Sequence, residues 1–126
     1  MARPKPTAAE LEILLVLWRK GPSTVNEVQA VLARGDRVAY TTVLKLLQIM
    51  FEKGLVKRDD SSRTHVFRAG VSESQVKRRV IRDLLNQVFE GSAMSLVMHA
   101  LSAKRASPAE LRRLRALLDE MEGDQS

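Results

Sequence analysis

Thr41, Lys45, Gln48 and Glu52 recur at i, i+4, i+7 and i+11, with Thr42 beside them. At about 100° per residue this spacing lines them along one face of a helix. Hydroxyl, amide and cationic groups set in a row can exchange hydrogen bonds with base edges and phosphates. The major groove of DNA is wide enough to admit the helix that carries them. The opposite arc collects Tyr40, Val43, Leu46, Leu47, Met50 and Phe51, a stripe suited to a core, and Gly54 is placed to end the helix. An ordinary amphipathic helix with a solvated polar face has the same pattern, so its surroundings decide what it does.

Composition narrows the classes. The 126 residues suit one domain or one domain with an appendage, and 21 Lys and Arg against 15 Asp and Glu leave a net charge of +6 and a pI near 10.2. Residues 1–70 hold 12 basic and 7 acidic side chains, residues 71–126 hold 9 and 8, so the positive field belongs to the first part. A polyanionic partner fits that field. The absence of cysteine excludes disulfides, thiolate metal sites and cysteine catalysis. His65 and His99 are the only histidines and lie far apart in sequence, so no metal or cofactor is expected. The close acidic pairs Glu10/Glu12 and Asp59/Asp60 read as caps or turn residues, and no Gly-rich phosphate loop or nucleophile-histidine pair is present. The chain is therefore not expected to be an enzyme. No apolar run reaches the ~18 to 20 residues that span a bilayer, and no apolar signal core opens the chain, so a cytoplasmic protein without membrane insertion is expected.

The flanking elements suit a helix turned outward. Residues 1–6, with Pro4 and Pro6 between basic residues, read as a short basic arm. Thr7 with Glu10 forms a capping box that opens a helix, expected to bury Leu11, Leu14, Leu15 and Trp18 and to end at Gly21-Pro22. A second helix opens at Ser23-Thr24, has Val28, Val31 and Leu32 on its apolar side, and breaks at Gly35-Asp36. With the Ala39 helix it forms a helix, turn, helix pair braced by the first helix. Beyond Gly54 the period changes to that of strands, with runs at Leu55–Arg58 and His65–Arg68 around a polar turn. This hairpin is a wing, and Lys57, Arg58, Arg63 and Arg68 suit a sugar-phosphate backbone, although Asp59 and Asp60 oppose contact by every wing residue.

From Val71 onward the residues change character. Ser72 caps a helix with Val76, Val80, Ile81, Leu84, Leu85, Val88 and Phe89 at helical spacing and a basic start at Lys77, Arg78, Arg79 and Arg82. Residues 92–102 are apolar almost all round, with Met94, Leu96, Val97, Met98, Ala100 and Leu101. The last helix opens at Ser107-Pro108-Ala109-Glu110 and carries Leu111, Leu114, Leu117, Leu118 and Met121. Three such helices hold more apolar surface than they can hide among themselves, which points to an identical copy and a two-fold homodimer. A bundle folded onto its own first domain is the structural alternative. The expected fold is mainly α with a small β-hairpin: a winged helix-turn-helix domain over residues 1–70 and a three-helix dimerisation region over residues 71–126. Its interface would use Ile81, Leu84, Leu85, Val88, Phe89, Leu96, Val97, Leu101, Leu114, Leu117 and Leu118.

Several strings carry a resemblance that covers nearly the whole chain. They are Thr7-Ala-Ala-Glu-Leu-Glu-Ile-Leu, Tyr40-Thr-Thr-Val, Glu52-Lys-Gly-Leu-Val-Lys-Arg and Ser107-Pro-Ala-Glu-Leu-Arg-Arg-Leu. In these and in its order of elements the chain resembles the penicillinase-repressor family of bacterial winged-helix regulators, the BlaI/MecI/CopY group. The resemblance implies a homodimeric repressor on a dyad-symmetric double-stranded DNA operator. It also implies that Thr41, Thr42 and Lys45 match recognition-helix positions, with the hairpin after Gly54 as the wing. Copper-responsive members carry a cysteine-rich C-terminal metal site, which this chain cannot build. Antibiotic-responsive members, similar here around Ser95-Leu96-Val97-Met98, are cut at an Asn-Phe pair; the matching positions are His99-Ala100. Met98, His99 and Ala100 thus mark where a proteolytic switch would lie, while the changed pair counts against a membrane-bound sensor protease as partner and leaves the inducer open.

Tyr40, Thr41, Thr42, Lys45 and Gln48 on the helix, with Lys57, Arg58 and Arg63 on the hairpin, are the expected DNA contacts. The alternative from another class is a winged-helix interaction module whose basic face docks an acidic protein.

Overall fold

The computed structural model describes residues 5–32 and 38–125. In chain order these form α1 (Ala8–Lys20), α2 (Val25–Leu32), α3 (Tyr40–Lys53), β1 (Val56–Asp59), β2 (Val66–Ala69), α4 (Glu73–Gln87), α5 (Ala93–Ala103) and α6 (Pro108–Gln125). The fold is mainly α with one antiparallel hairpin, a winged helix-turn-helix followed by further helices. Arg3 and Pro4 of the expected arm and the Gly35-Asp36 break lie outside the described residues. Of the described residues of that stretch, Lys5 is exposed and Pro6 is buried.

By its contacts the chain divides into two compact units, Met1–Arg78 and Arg79–Ser126. The first begins with the reciprocal cap that the Thr7/Glu10 spacing predicts. Glu10 N–H donates to Thr7 Oγ1 at 3.2 Å, and Thr7 N–H donates to Glu10 Oε1 at 2.8 Å. The buried side of α1 is Glu10, Ile13, Leu14, Val16 and Leu17; of the four residues expected there only Leu14 is buried. Leu15 is exposed and Leu11 and Trp18 only half-buried. The stripe is rotated because α1 is enclosed by α2, α3 and β2 together, which widens its covered arc toward Ile13 and Val16. Trp18 instead packs at the margin, where its Nε1–H donates to Val71 O at 3.2 Å.

Gly21 ends α1 at φ 87°, a conformation open to glycine at little cost. Ser23 then bridges to the wing: its N–H donates to Phe67 O at 2.9 Å and its carbonyl accepts from Phe67 N–H at 2.8 Å. Thr24 and Glu27 close a second capping box and start α2. Val25 and Val28 face inward, whereas Val31 is exposed, so the expected apolar side of α2 holds only in part.

The strands begin one residue later than their sequence runs, pairing Val56 with Ala69, Lys57 with Arg68, Arg58 with Phe67 and Asp59 with Val66. Val56 and Phe67 turn inward and complete a core with Ile13, Leu14, Leu17, Val28, Val43, Leu47, Met50 and Leu55. In the second unit, Ser92 accepts from Ser95 N–H and Ser107 and Glu110 form a third capping box. No large hydrophobic of that unit is fully buried among the described residues.

Candidate nucleic-acid interface

Helix α3 owes its orientation to the three side chains it buries completely, Val43, Leu47 and Met50. They lie on one arc and turn the opposite arc outward. Thr41, Thr42, Lys45, Gln48 and Glu52 are all exposed. Among the described residues, the side chains of Thr41, Thr42, Lys45 and Gln48 engage no hydrogen bond or ion pair, which leaves their polar groups available to a ligand. The expected core arc was too wide at both edges. Tyr40 and Phe51 are exposed, and Leu46 is only half-buried, because the core reaches α3 along a single narrow line.

Both ends of α3 are tied down. At the start, Gln29 Nε2 of α2 donates to Val38 O at 3.0 Å, and Ala39 O accepts from Thr42 N–H and Val43 N–H. At the end, Gly54 closes the helix at φ 82°, a left-handed position, and its N–H bonds back to Phe51 O. Lys53 Nζ reaches Glu10 Oε1 and Oε2 at 2.8 and 3.0 Å. Burial would raise the Glu10 pKa, but the hydrogen bonds from Lys53 and Thr7 outweigh it and hold the carboxyl below its ordinary value.

Two concavities flank the outward row. One, on α3 itself, is lined by Thr41, Thr42, Lys45, Leu46 and Ile49. The other brings Tyr40 and Arg63, 23 positions apart in sequence, together with Thr24, Asn26, Leu44, Thr64 and His65. Lys57 and Arg68 are cross-strand partners on the exposed face of the hairpin. Like charges set opposite one another cost stability unless an anion joins them. Arg58 alternates to the other face: its guanidinium lies 4.5 Å over the Phe51 ring and its Nε 2.8 Å from Asp60 Oδ1. Asp59 accepts from Ser61 N–H, a bond that keeps its pKa low, so it serves the turn.

Sequence reasoning passed over Ile49, although its i+4 spacing from Lys45 was enough to place it on the same face. It also passed over the Glu10–Lys53 pair, for which no local signal exists at a separation of 43 residues.

In the second unit, Ile81, Val88, Val97, Leu101, Leu117 and Leu118 are exposed, and Leu84, Leu85, Phe89, Leu96 and Leu114 are half-buried. Met98, His99 and Ala100 lie inside α5, all exposed. The His99 ring sits 5.5 Å from that of Phe89, and its Nδ1 lies 2.8 Å from Ser95 O. No group of three or more His, Asp or Glu able to hold a metal ion occurs among the described residues. No helix among them is long and apolar enough to cross a membrane.

Residues 6–120 match the family model described as penicillinase repressor. The transcriptional regulator BlaI of Mycobacterium tuberculosis is 31% identical over 108 residues, 84% of this chain and 77% of that protein. A penicillinase repressor of Bacillus licheniformis is 26% identical over 117 residues, 93% and 91% of the two chains. A transcriptional regulator of Thermotoga maritima has a similar structure, with a TM-score of 0.53 at 24% identity over 95% of this chain and 79% of that one. With a family match over almost the full length and a winged helix whose third helix turns a polar row outward, the chain belongs to the penicillinase repressor family of transcriptional regulators.

Proposed function

We propose that the protein is a sequence-specific repressor that binds a dyad-symmetric DNA operator as a homodimer in the cytoplasm. The observation that carries this reading is the row of exposed, unengaged polar side chains on α3, held at both ends by Gln29 and Glu10. Thr41, Thr42, Lys45 and Gln48 read base edges in the major groove, with Tyr40 at the helix start. Lys57 and Arg63 hold phosphates and fix register, whereas Arg58 sets the wing against α3. The homodimer rests on the apolar residues of α4 to α6, which a second copy covers, so that two α3 helices enter successive major grooves about one helical turn or a multiple apart.

A proteolytic switch at His99-Ala100 is no part of this reading. The pair His99-Ala100 stands where the antibiotic-responsive members have the Asn-Phe that is cut, which counts against that switch in this chain.

Fluorescence anisotropy across a salt series tests the proposal, using the full chain, a duplex selected from a random pool and a scramble of that duplex. The expected result is a large preference for the selected duplex at physiological salt, with log K falling linearly against log salt as counterions are released. Weak binding, equal on both duplexes, would overturn it and favour docking of the basic face onto an acidic protein.

A further inference from the structure

We propose that Ile49 reads the C5-methyl group of a thymine in each operator half-site, an inference that rests on the DNA-binding reading above. Ile49 is 36% exposed on α3, where Val43, Leu47 and Met50 are at 0%. It shares the outer concavity with Thr41, Thr42, Lys45 and Leu46. Its lining combines the apolar groups of Ile49, Leu46 and the two threonine methyls with one cation and two hydroxyls.

Such a surface discriminates between bases. In the major groove thymine alone among the four bases displays a methyl group, next to its O4 acceptor. Adenine and cytosine present amino donors and guanine two acceptors, and covering any of these with Ile49 would desolvate a polar group without replacing its hydrogen bond. A β-branched side chain in a helix holds essentially one χ1 rotamer, so Ile49 presents its methyl groups with little entropy left to lose. The neighbouring Thr41, Thr42 and Lys45 supply the polar contacts that set the base pair against it.

The test replaces each thymine of the selected operator singly with deoxyuridine, which removes only the methyl group, and measures the affinity of the full-length wild type, Ile49→Val and Ile49→Ala. One thymine in the half-site is expected at which deoxyuridine weakens wild-type binding about fourfold, the worth of one buried methyl group. The same replacement leaves Ile49→Ala binding unchanged, while Ile49→Val keeps most of the effect. If every thymine replacement acts equally on wild type and Ile49→Ala, Ile49 does not read a methyl group, and the operator reading stands as long as the selected duplex is preferred to its scramble. Loss of that preference in the wild type overturns both.

Discussion

Glu10 is the buried carboxylate that joins the start of α1 to the end of α3. Its side chain is 2% exposed, that of its partner Lys53 is 26% exposed, and Thr7 shares the same carboxylate. The asymmetry sets the direction of two substitutions. Lys53→Met strands a buried carboxylate and should cost about 3 kcal/mol, whereas Glu10→Gln leaves a lysine that can reach water and should cost about 1 to 2 kcal/mol. Denaturant titrations of both variants check this order, and a harmless Lys53→Met would mean that the pair clamps nothing. The folded-state pKa of Glu10 is depressed, so its contribution is present above the unfolded value near 4.5 and is lost as pH falls through the folded value. The stability gap between wild type and Glu10→Gln should therefore narrow below about pH 4.5 and hold steady at neutral pH. At this scale the Thr7/Glu10 spacing made the cap legible, and nothing near either residue announced Lys53.

Among the elements, the hairpin shows how period decides role. Side chains alternate across a strand, so Lys57 and Arg58, adjacent in sequence, face opposite sides. Lys57 joins Arg68 outside, while Arg58 follows Val56 inward and ends stacked on Phe51 with its Nε on Asp60. On the proposed reading an arginine engaged in this way positions the wing and leaves the phosphates to Lys57 and Arg63. Arg58→Ala should weaken operator binding with the slope of log K against log salt unchanged, whereas Lys57→Ala and Arg63→Ala should each reduce that slope by about 1. Arg58→Lys should fail to restore binding, because an ammonium keeps the charge but not the planar stack. A slope reduced by Arg58→Ala would make it a phosphate contact after all. The alternation was available from Val56 onward. Its consequence was not, because the Phe51 ring comes from another element.

For the whole molecule, the contrast lies in how apolar surface is spent. The first unit encloses a complete core, while α5 and α6 leave Met94, Met98, Leu117, Leu118 and Met121 open to solvent. If a second copy covers them, a charge placed there should separate the copies and leave each chain folded. Leu117→Glu and Leu118→Glu, at sites 50% and 58% exposed, are expected to sediment as monomers with an unchanged helical circular-dichroism spectrum and to bind the full operator no better than a half-site. Dimers persisting in both variants would move the interface off α6. The sequence by itself determined the class of fold, the order of its helices, the caps that open α1, α2 and α6, the hairpin and the polar row of α3, although α4 stops at Gln87, short of the Val88 and Phe89 that its spacing included. Each depends on residues within a turn or a strand pair of one another: caps three residues apart, stripes at 3.6, alternation at 2. Only the tertiary structure decided which arc of α1 is buried, that Ser23 joins Phe67, that Trp18 reaches Val71, and that Arg58 belongs to Phe51. Those pairings follow from the angles at which distant segments meet around a shared core, and no local pattern encodes an angle between helices.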